Sequence, residues 1–373
     1  MGLKQKNEPK KPSIRGPVIA SCAALIMIAL QRIFKDHFPL MHTLSRSFTR
    51  PVLRYLAELT GRVDFSVAEL LILLTVITVV IWLIASIIRL IVQPEKRRRF
   101  LCIILSLLSF VLCVYAGFCV LWGVYYYGED FSSNSGIYAR NISADELRSV
   151  TAYFADLANQ YAEQIPRDDQ GRYQANREEI LKKSKDLYRE TVEEYPELDG
   201  PEVAAKPFHF SKLLSLMDFT GFFFPFTGEA NVNIDFPPSQ FAATVAHELA
   251  HQRGVAKEQE ANFCAVLASL RSGDPDYCYS ASLMAYTYLG NALYDADPQA
   301  LKEIQNGLCD GIRADMAENR KYWERYETPV QSVSNAVYEE FLYSYDQDLG
   351  LKSYGACVDL LVSYYLDDTM AEK

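Results

Sequence analysis

Uncharged apolar runs fill the first third of the chain, and apolar positions at helical spacing fill the remainder. Gly16–Gln31, Leu70–Ile88 and Phe100–Gly128 carry no charged side chain. Roughly 20 apolar residues cross the ~30 Å hydrocarbon layer of a bilayer. The second and third runs therefore predict membrane spans outright. The first is shorter, and its basic lead (Lys4, Lys6, Lys10, Lys11, Arg15) resembles a signal peptide. No small-x-small cleavage site follows, so it reads as an uncleaved anchor. The expected transmembrane helices cover about 16–34, 68–90 and 100–127. Between the first two, Phe38, Leu40, Leu44, Phe48, Val52, Tyr55, Leu56 and Leu59 predict an amphipathic segment on the outer interface. Trp122, Tyr125, Tyr126 and Tyr127 read as an interfacial belt closing the third span.

From residue 129 the period is that of helices, so the fold class is mainly α with a small β-sheet. Ser143-Ala-Asp-Glu146 forms a capping box, followed at helical spacing by Leu147, Val150, Phe154, Leu157 and Tyr161. A further helix is expected over Glu178–Tyr195, stopping before Pro196. Gly221–Phe236 differs: it is aromatic-rich, then alternates from Ala230 to Asp235, which predicts a short strand with one polar face. After Pro237-Pro238, Ser239 is placed to cap a helix that runs to Arg253 and ends at Gly254. A helix from Lys257 contains the charge-free stretch Ala261–Leu270, which predicts burial almost all round. Further helices are expected over Ala281–Tyr294, Pro298–Tyr326 and the C-terminal segment.

Charge divides the 373 residues at the same place. Residues 1–127 hold 16 Lys/Arg against 6 Asp/Glu, and residues 128–373 hold 21 against 41. A basic apolar anchor (1–128) joined to an acidic water-exposed domain (129–373) fits that split. Arg89, Lys96, Arg97, Arg98 and Arg99 make the loop between spans two and three basic, hence cytoplasmic. Three crossings then put the second domain outside the cytoplasm. An acidic domain repels phosphate backbones, so the expected partners are the lipid bilayer and a peptide or protein at its surface, not nucleic acid. Cys22, Cys102, Cys113 and Cys119 lie in apolar runs, while Cys264, Cys278, Cys309 and Cys357 contain no C-x-x-C pair and read as free, buried thiols, with two disulfides the alternative.

The chemistry sits in His247-Glu-Leu-Ala-His251. Histidines four residues apart on a helix share a face and can reach one metal, and zinc suits that donor set. Glu248, about 100° further round, reaches the open side of the metal and can act as general base. From this composition a chance H-E-x-x-H is on the order of one in a few hundred. For the third ligand Glu258 and Glu260 compete; they lie about 200° apart on a helix, so one metal takes only one of them. Asn262 shares a face with Glu258 and can hold the second ring nitrogen of a ligating histidine. Glu229, Asn231 and Asn233 either line the cleft or form the wet face of a strand. Tyr354 is a candidate oxyanion donor, and His209 reads as structural.

At Gly221–Asn233, His247–Gly254, Glu258–Phe263 and Ser353-Tyr-Gly the chain resembles a bacterial multipass membrane family, domain of unknown function 3810, grouped with zincin-type peptidases. The resemblance implies a zincin-like catalytic domain over 129–373 that faces outward. Glu258…Asn262 is similar to the gluzincin pattern, with Asn262 where that group has Asp. The expected activity is zinc-dependent hydrolysis of extracytoplasmic peptides or proteins by a membrane-bound metalloprotease. The competing expectation is a non-catalytic membrane sensor or envelope scaffold that keeps a zincin-like domain.

Overall fold

The computed structural model describes residues 12–371, so Lys4, Lys6, Lys10 and Lys11 lie outside the described residues. Among those described, three helices are long and apolar enough to cross a membrane: α1 (Arg15–Phe34), α4 (Val67–Val92) and α5 (Lys96–Leu121). This is a membrane protein. Between α1 and α4 lie α2 (Phe38–Leu44) and α3 (Arg50–Thr60), joined by one π-helical turn. Phe38, Leu40, Phe48, Tyr55 and Leu59 are exposed along this segment, whereas Met41, Leu53 and Ala57 are buried. The segment is amphipathic as expected, but its second face is covered by protein.

The third span ends sooner than its uncharged run. Trp122 terminates α5, and Gly123–Tyr127 forms a 3₁₀ turn. Trp122 and Tyr126 are buried with Ala256 and Tyr345, against Phe223 and Phe341. These two rings therefore belong to a core shared with the second half of the chain. They do not form a lipid-facing belt.

The remaining helices are α6 (Phe131–Ser135), α7 (Ala144–Ala162), α8 (Arg177–Lys183) and α9 (Arg189–Glu194). The Ser143 capping box opens α7 as expected. The single helix expected over Glu178–Tyr195 is instead α8, a 3₁₀ turn and α9. Ser184 turns its hydroxyl onto the Leu181 carbonyl and accepts from Ala205 N, a local alternative to helical bonding. Next come β1 (Lys206–Phe208), α10 (Ser211–Leu216), β2 (Gly221–Phe224) and β3 (Glu229–Asn233). The sheet has the order β1-β3-β2, with β1 parallel and β2 antiparallel to β3. Gly228 (φ +70) closes the β2–β3 hairpin, and a Cβ there would meet Leu53 O at 2.6 Å and Ala57 N at 2.7 Å. Only glycine lets the hairpin rest on the α3 backbone.

Every residue of β3 is buried, so the polar face expected for it is not wet. The Glu229 carboxylate accepts from Val67 N (3.1 Å) and Ala68 N (2.7 Å), the first amides of α4. Asn231 faces Ser66 Oγ, and Asn233 donates to Ser215 Oγ (2.8 Å) and Phe219 O (3.1 Å). The central strand thus satisfies the N-terminus of a membrane helix, where a carboxylate also meets the positive end of the dipole.

Behind the sheet lie α11 (Phe241–Gln252), α12 (Glu258–Arg271) and α13 (Pro275–Ala296), then α14 (Pro298–Asn306), α15 (Asp310–Trp323), α16 (Pro329–Ser344) and α17 (Cys357–Ala371). Ser239 sits inside a 3₁₀ turn before α11 and makes no cap. All of α11 is buried, and Ala261–Ser269 of α12 is buried throughout. The helix expected over Pro298–Tyr326 breaks at Gly307 into α14 and α15. All eight thiols are free.

Candidate metal centre

The end of α11 shows how local sequence builds the site. Gly254 N bonds to His251 O (2.9 Å) and Val255 N to Ala250 O (3.2 Å), with Gly254 at φ +92. This paired pattern around a left-handed residue is the Schellman termination, which glycine alone adopts without strain. The reversal swings the Val255 carbonyl back over the helix, where it lies 2.7 Å from His251 Nδ1. It also delivers the chain to α12, whose first residue is Glu258.

Glu258 Oε2 lies 3.2 Å from His247 Nε2 and 3.4 Å from His251 Nε2. The donor atoms of His247, His251 and Glu258 all lie within 4.8 Å of one another, and all three residues are buried. The outer faces of the rings are fixed. A backbone carbonyl only accepts, so Nδ1 of His251 carries a proton. Asn262 donates through Nδ2 to Tyr354 O (3.0 Å), which leaves Oδ1 to face His247 Nδ1 at 2.8 Å. When both rings are neutral, each presents its Nε2 lone pair inward, toward a carboxylate oxygen that then has no hydrogen-bond donor of its own. Three buried acceptors converging on one point favour a shared cation, either a proton on one imidazole or a metal ion. Two imidazole nitrogens and one carboxylate oxygen suit zinc.

Electrostatics of the side chains alone express the same demand. Burial disfavours the charged form of His251, but Glu258 overrides it and lifts the ring to about 9. Burial and the neighbouring His251 lower His247. Burial would raise Glu258, but the two imidazoles hold it well below the usual carboxylate range. Tyr338 donates to Glu258 Oε1 at 2.7 Å and so orients the carboxylate.

Glu248 stands beside this cluster without joining it. Burial raises its carboxyl to about 8 against the pull of His251, and Oε2 has no hydrogen-bond partner. A Cβ on Gly221 would lie 2.6 Å from Glu248 Oε1, so β2 can pass only because that residue is glycine. Two cavities meet here. One of about 230 Å³ and one of about 290 Å³ share Phe219, Gly221, His247, Glu248 and Tyr354 in their walls. The Tyr354 ring stacks on His247 with centroids 6.0 Å apart.

Several residues weighed from sequence lie elsewhere. Glu260 points to the opposite face of α12 and accepts from Phe131 N (2.9 Å) and Ser132 N (3.4 Å) at the start of α6. Glu229, Asn231 and Asn233 are absent from both cavity walls, their polar atoms being engaged beneath the sheet. They neither line the cleft nor form a wet strand face, the two alternatives left open by the sequence. His209 faces Glu69 at 3.1 Å and is not part of the cluster. Sequence reasoning missed Tyr338 and the role of Trp122, whose ring meets His251 edge-on at 5.7 Å. Tyr338 lies 80 residues beyond Glu258, and no spacing rule joins them.

The model of the family described as "Protein of unknown function (DUF3810)" matches residues 44–362, and the chain belongs to that family. No curated protein and no solved structure matches it.

Proposed function

We propose that this protein is a membrane-bound zinc peptidase of the gluzincin kind. The observation that carries the reading is the convergence of His247 Nε2, His251 Nε2 and Glu258 Oε2, with the unpartnered Glu248 carboxylate beside them. His247, His251 and Glu258 would hold the ion. When bound, zinc supplies Lewis-acid polarisation of a carbonyl and activation of water near neutral pH.

The chain's own residues supply the rest. Glu248 takes a proton from the attacking water as the carbon–oxygen bond forms, then returns it to the amide nitrogen as the carbon–nitrogen bond breaks. Tyr354 stays protonated because burial raises its phenol, so it remains a donor for a developing oxyanion, while the Tyr338 hydroxyl is engaged with Glu258. In the sheet order β1-β3-β2, strand β2 has an outer edge, and its residues line the cavity beside Glu248. An extended peptide can hydrogen-bond to such an edge. The basic loop after α4 supports a multipass topology with this domain outside the cytoplasm.

The test compares full-length protein with Glu248→Gln. Metal analysis should find about one zinc per chain in both, while peptide products should appear only with the unsubstituted protein. Zinc with no turnover of any peptide by either would favour a sensor or scaffold. Absence of zinc from both would sink the metal assignment.

A further inference from the structure

The two cavities that meet at Glu248 differ in chemistry. The smaller carries Asp218, Thr220, Gln240, Thr244 and Thr287 among Phe219, Met284 and Tyr288. The larger is walled by Phe118, Trp122 and Tyr126, with Phe222, Phe223 and Phe341 around them. A chain crossing the centre is therefore met by aromatic surface on one side and by a mixed, more polar surface on the other.

The aromatic wall is also a piece of the membrane anchor. Phe118 lies in the last turn of α5, and Trp122 follows one turn later, about 6 Å along the axis. Trp122 then meets the ring of His251 at 5.7 Å. The domain is fastened in this position. Thr49 donates to Val120 O (2.9 Å), so the segment before α3 is tied to the last turn of α5. A Cβ on Gly117 would lie 2.9 Å from the Phe226 ring, so the β2–β3 hairpin rests directly on the span. Glu229 holds the first amides of α4. The cleft cannot rise from the bilayer surface without breaking these contacts.

We propose that this cleft takes membrane-tethered polypeptides at the point where they leave the bilayer. The residues emerging from the hydrocarbon lie in the aromatic cavity, and the water-exposed continuation lies in the more polar one. The proposal rests on the peptidase reading for turnover but not for binding. The bond presented to Glu248 then lies among the first extended residues outside the span. A soluble apolar peptide satisfies the aromatic wall equally well, so the test must separate tethering from hydrophobicity.

Full-length protein is reconstituted in liposomes with a single-span model protein. One cleavable stretch is placed directly outside the span or displaced from it by about ten residues, roughly 33 Å of extended chain. The same stretch is supplied as a free peptide. In the Glu248→Gln variant, a photo-crosslinking side chain stepped along the tethered protein reads binding without turnover. Crosslinking to the Phe118–Phe223 cavity should peak within the first residues outside the span. It should fall at least tenfold for the displaced and free forms, and cleavage by the unsubstituted protein should follow the same order. Equal crosslinking and cleavage of the free peptide, or a cut that follows sequence wherever the stretch is placed, would overturn the tethering idea and leave the peptidase reading standing. Span-proximal crosslinking without cleavage would uphold the binding mode and remove the peptidase. Loss of both signals would overturn both.

Discussion

Gly221 and Glu248 are in such close contact that the absent Cβ defines the position of the carboxylate. A methyl group there would sit 2.6 Å from Oε1, 2.7 Å from Cγ and 2.9 Å from the Asn231 carbonyl. The last contact is with backbone, so strand β2 cannot simply yield, and Glu248 must move. Gly221→Ala is therefore expected to keep zinc, because no ligand is touched, and to lose about 10²-fold in turnover through misplacement of the carboxylate. Metal content measured beside kcat checks this. Wild-type turnover in the variant would mean that Glu248 does not act from this position.

The two acids at the start of α12 serve opposite faces. Glu258→Ala should strip zinc, since it removes one of three donors. Glu260→Ala should retain it and instead destabilise the fold by about 1–3 kcal/mol, because the buried amides of Phe131 and Ser132 lose their acceptor. Asn262→Ala, which frees the His247 ring, should weaken zinc binding about 10–100-fold. Zinc titration and thermal unfolding on the same three proteins separate the effects. Zinc lost in Glu260→Ala but kept in Glu258→Ala would reverse the assignment.

Tyr338 reaches the centre from α16 and donates to the Glu258 oxygen that faces away from the histidines. Tyr338→Phe removes one hydroxyl and keeps the ring stacked on Phe341. Zinc affinity should fall about tenfold or more with little change in melting temperature. Unchanged affinity would make the hydroxyl a spectator.

Legibility from sequence followed the range of the interactions. The HExxH helix, its Gly254 stop and the Glu258/Asn262 face are set within 16 residues, where helical period and capping chemistry fix geometry. Long-range pairings left no such trace. Alternating Glu229, Asn231 and Asn233 look like a wet strand face, yet they are buried because the ends of α4 and α10 supply their partners. Trp122 and Tyr126 carry the composition of an interfacial belt, but α16 and β2 cover them. The breaks within Glu178–Tyr195 and Pro298–Tyr326 fall where helical period continues but Ser184 and Gly307 offer the backbone other bonds. Periodicity reports burial, and cannot report which distant element does the burying.

Glu229 joins the two halves of the molecule, and its removal should be felt as instability, not as lost chemistry. Its two oxygens accept from consecutive amides that open α4, amides with no intrahelical acceptor. The carboxylate is 2 % exposed, so water cannot readily take its place. Glu229→Ala leaves both amides unsatisfied beside a membrane helix and should cost about 1–3 kcal/mol. Glu229→Gln keeps one acceptor oxygen but loses the charge at the helix N-terminus, and should cost less. Neither substitution touches His247, His251 or Glu258, so metal content per folded chain should stay at the level of the unsubstituted protein. Thermal unfolding in detergent, read beside metal analysis, separates the two effects. A variant of normal thermal stability that retained zinc but lost turnover would return Glu229 to the cleft and undo its assignment as the clamp on α4.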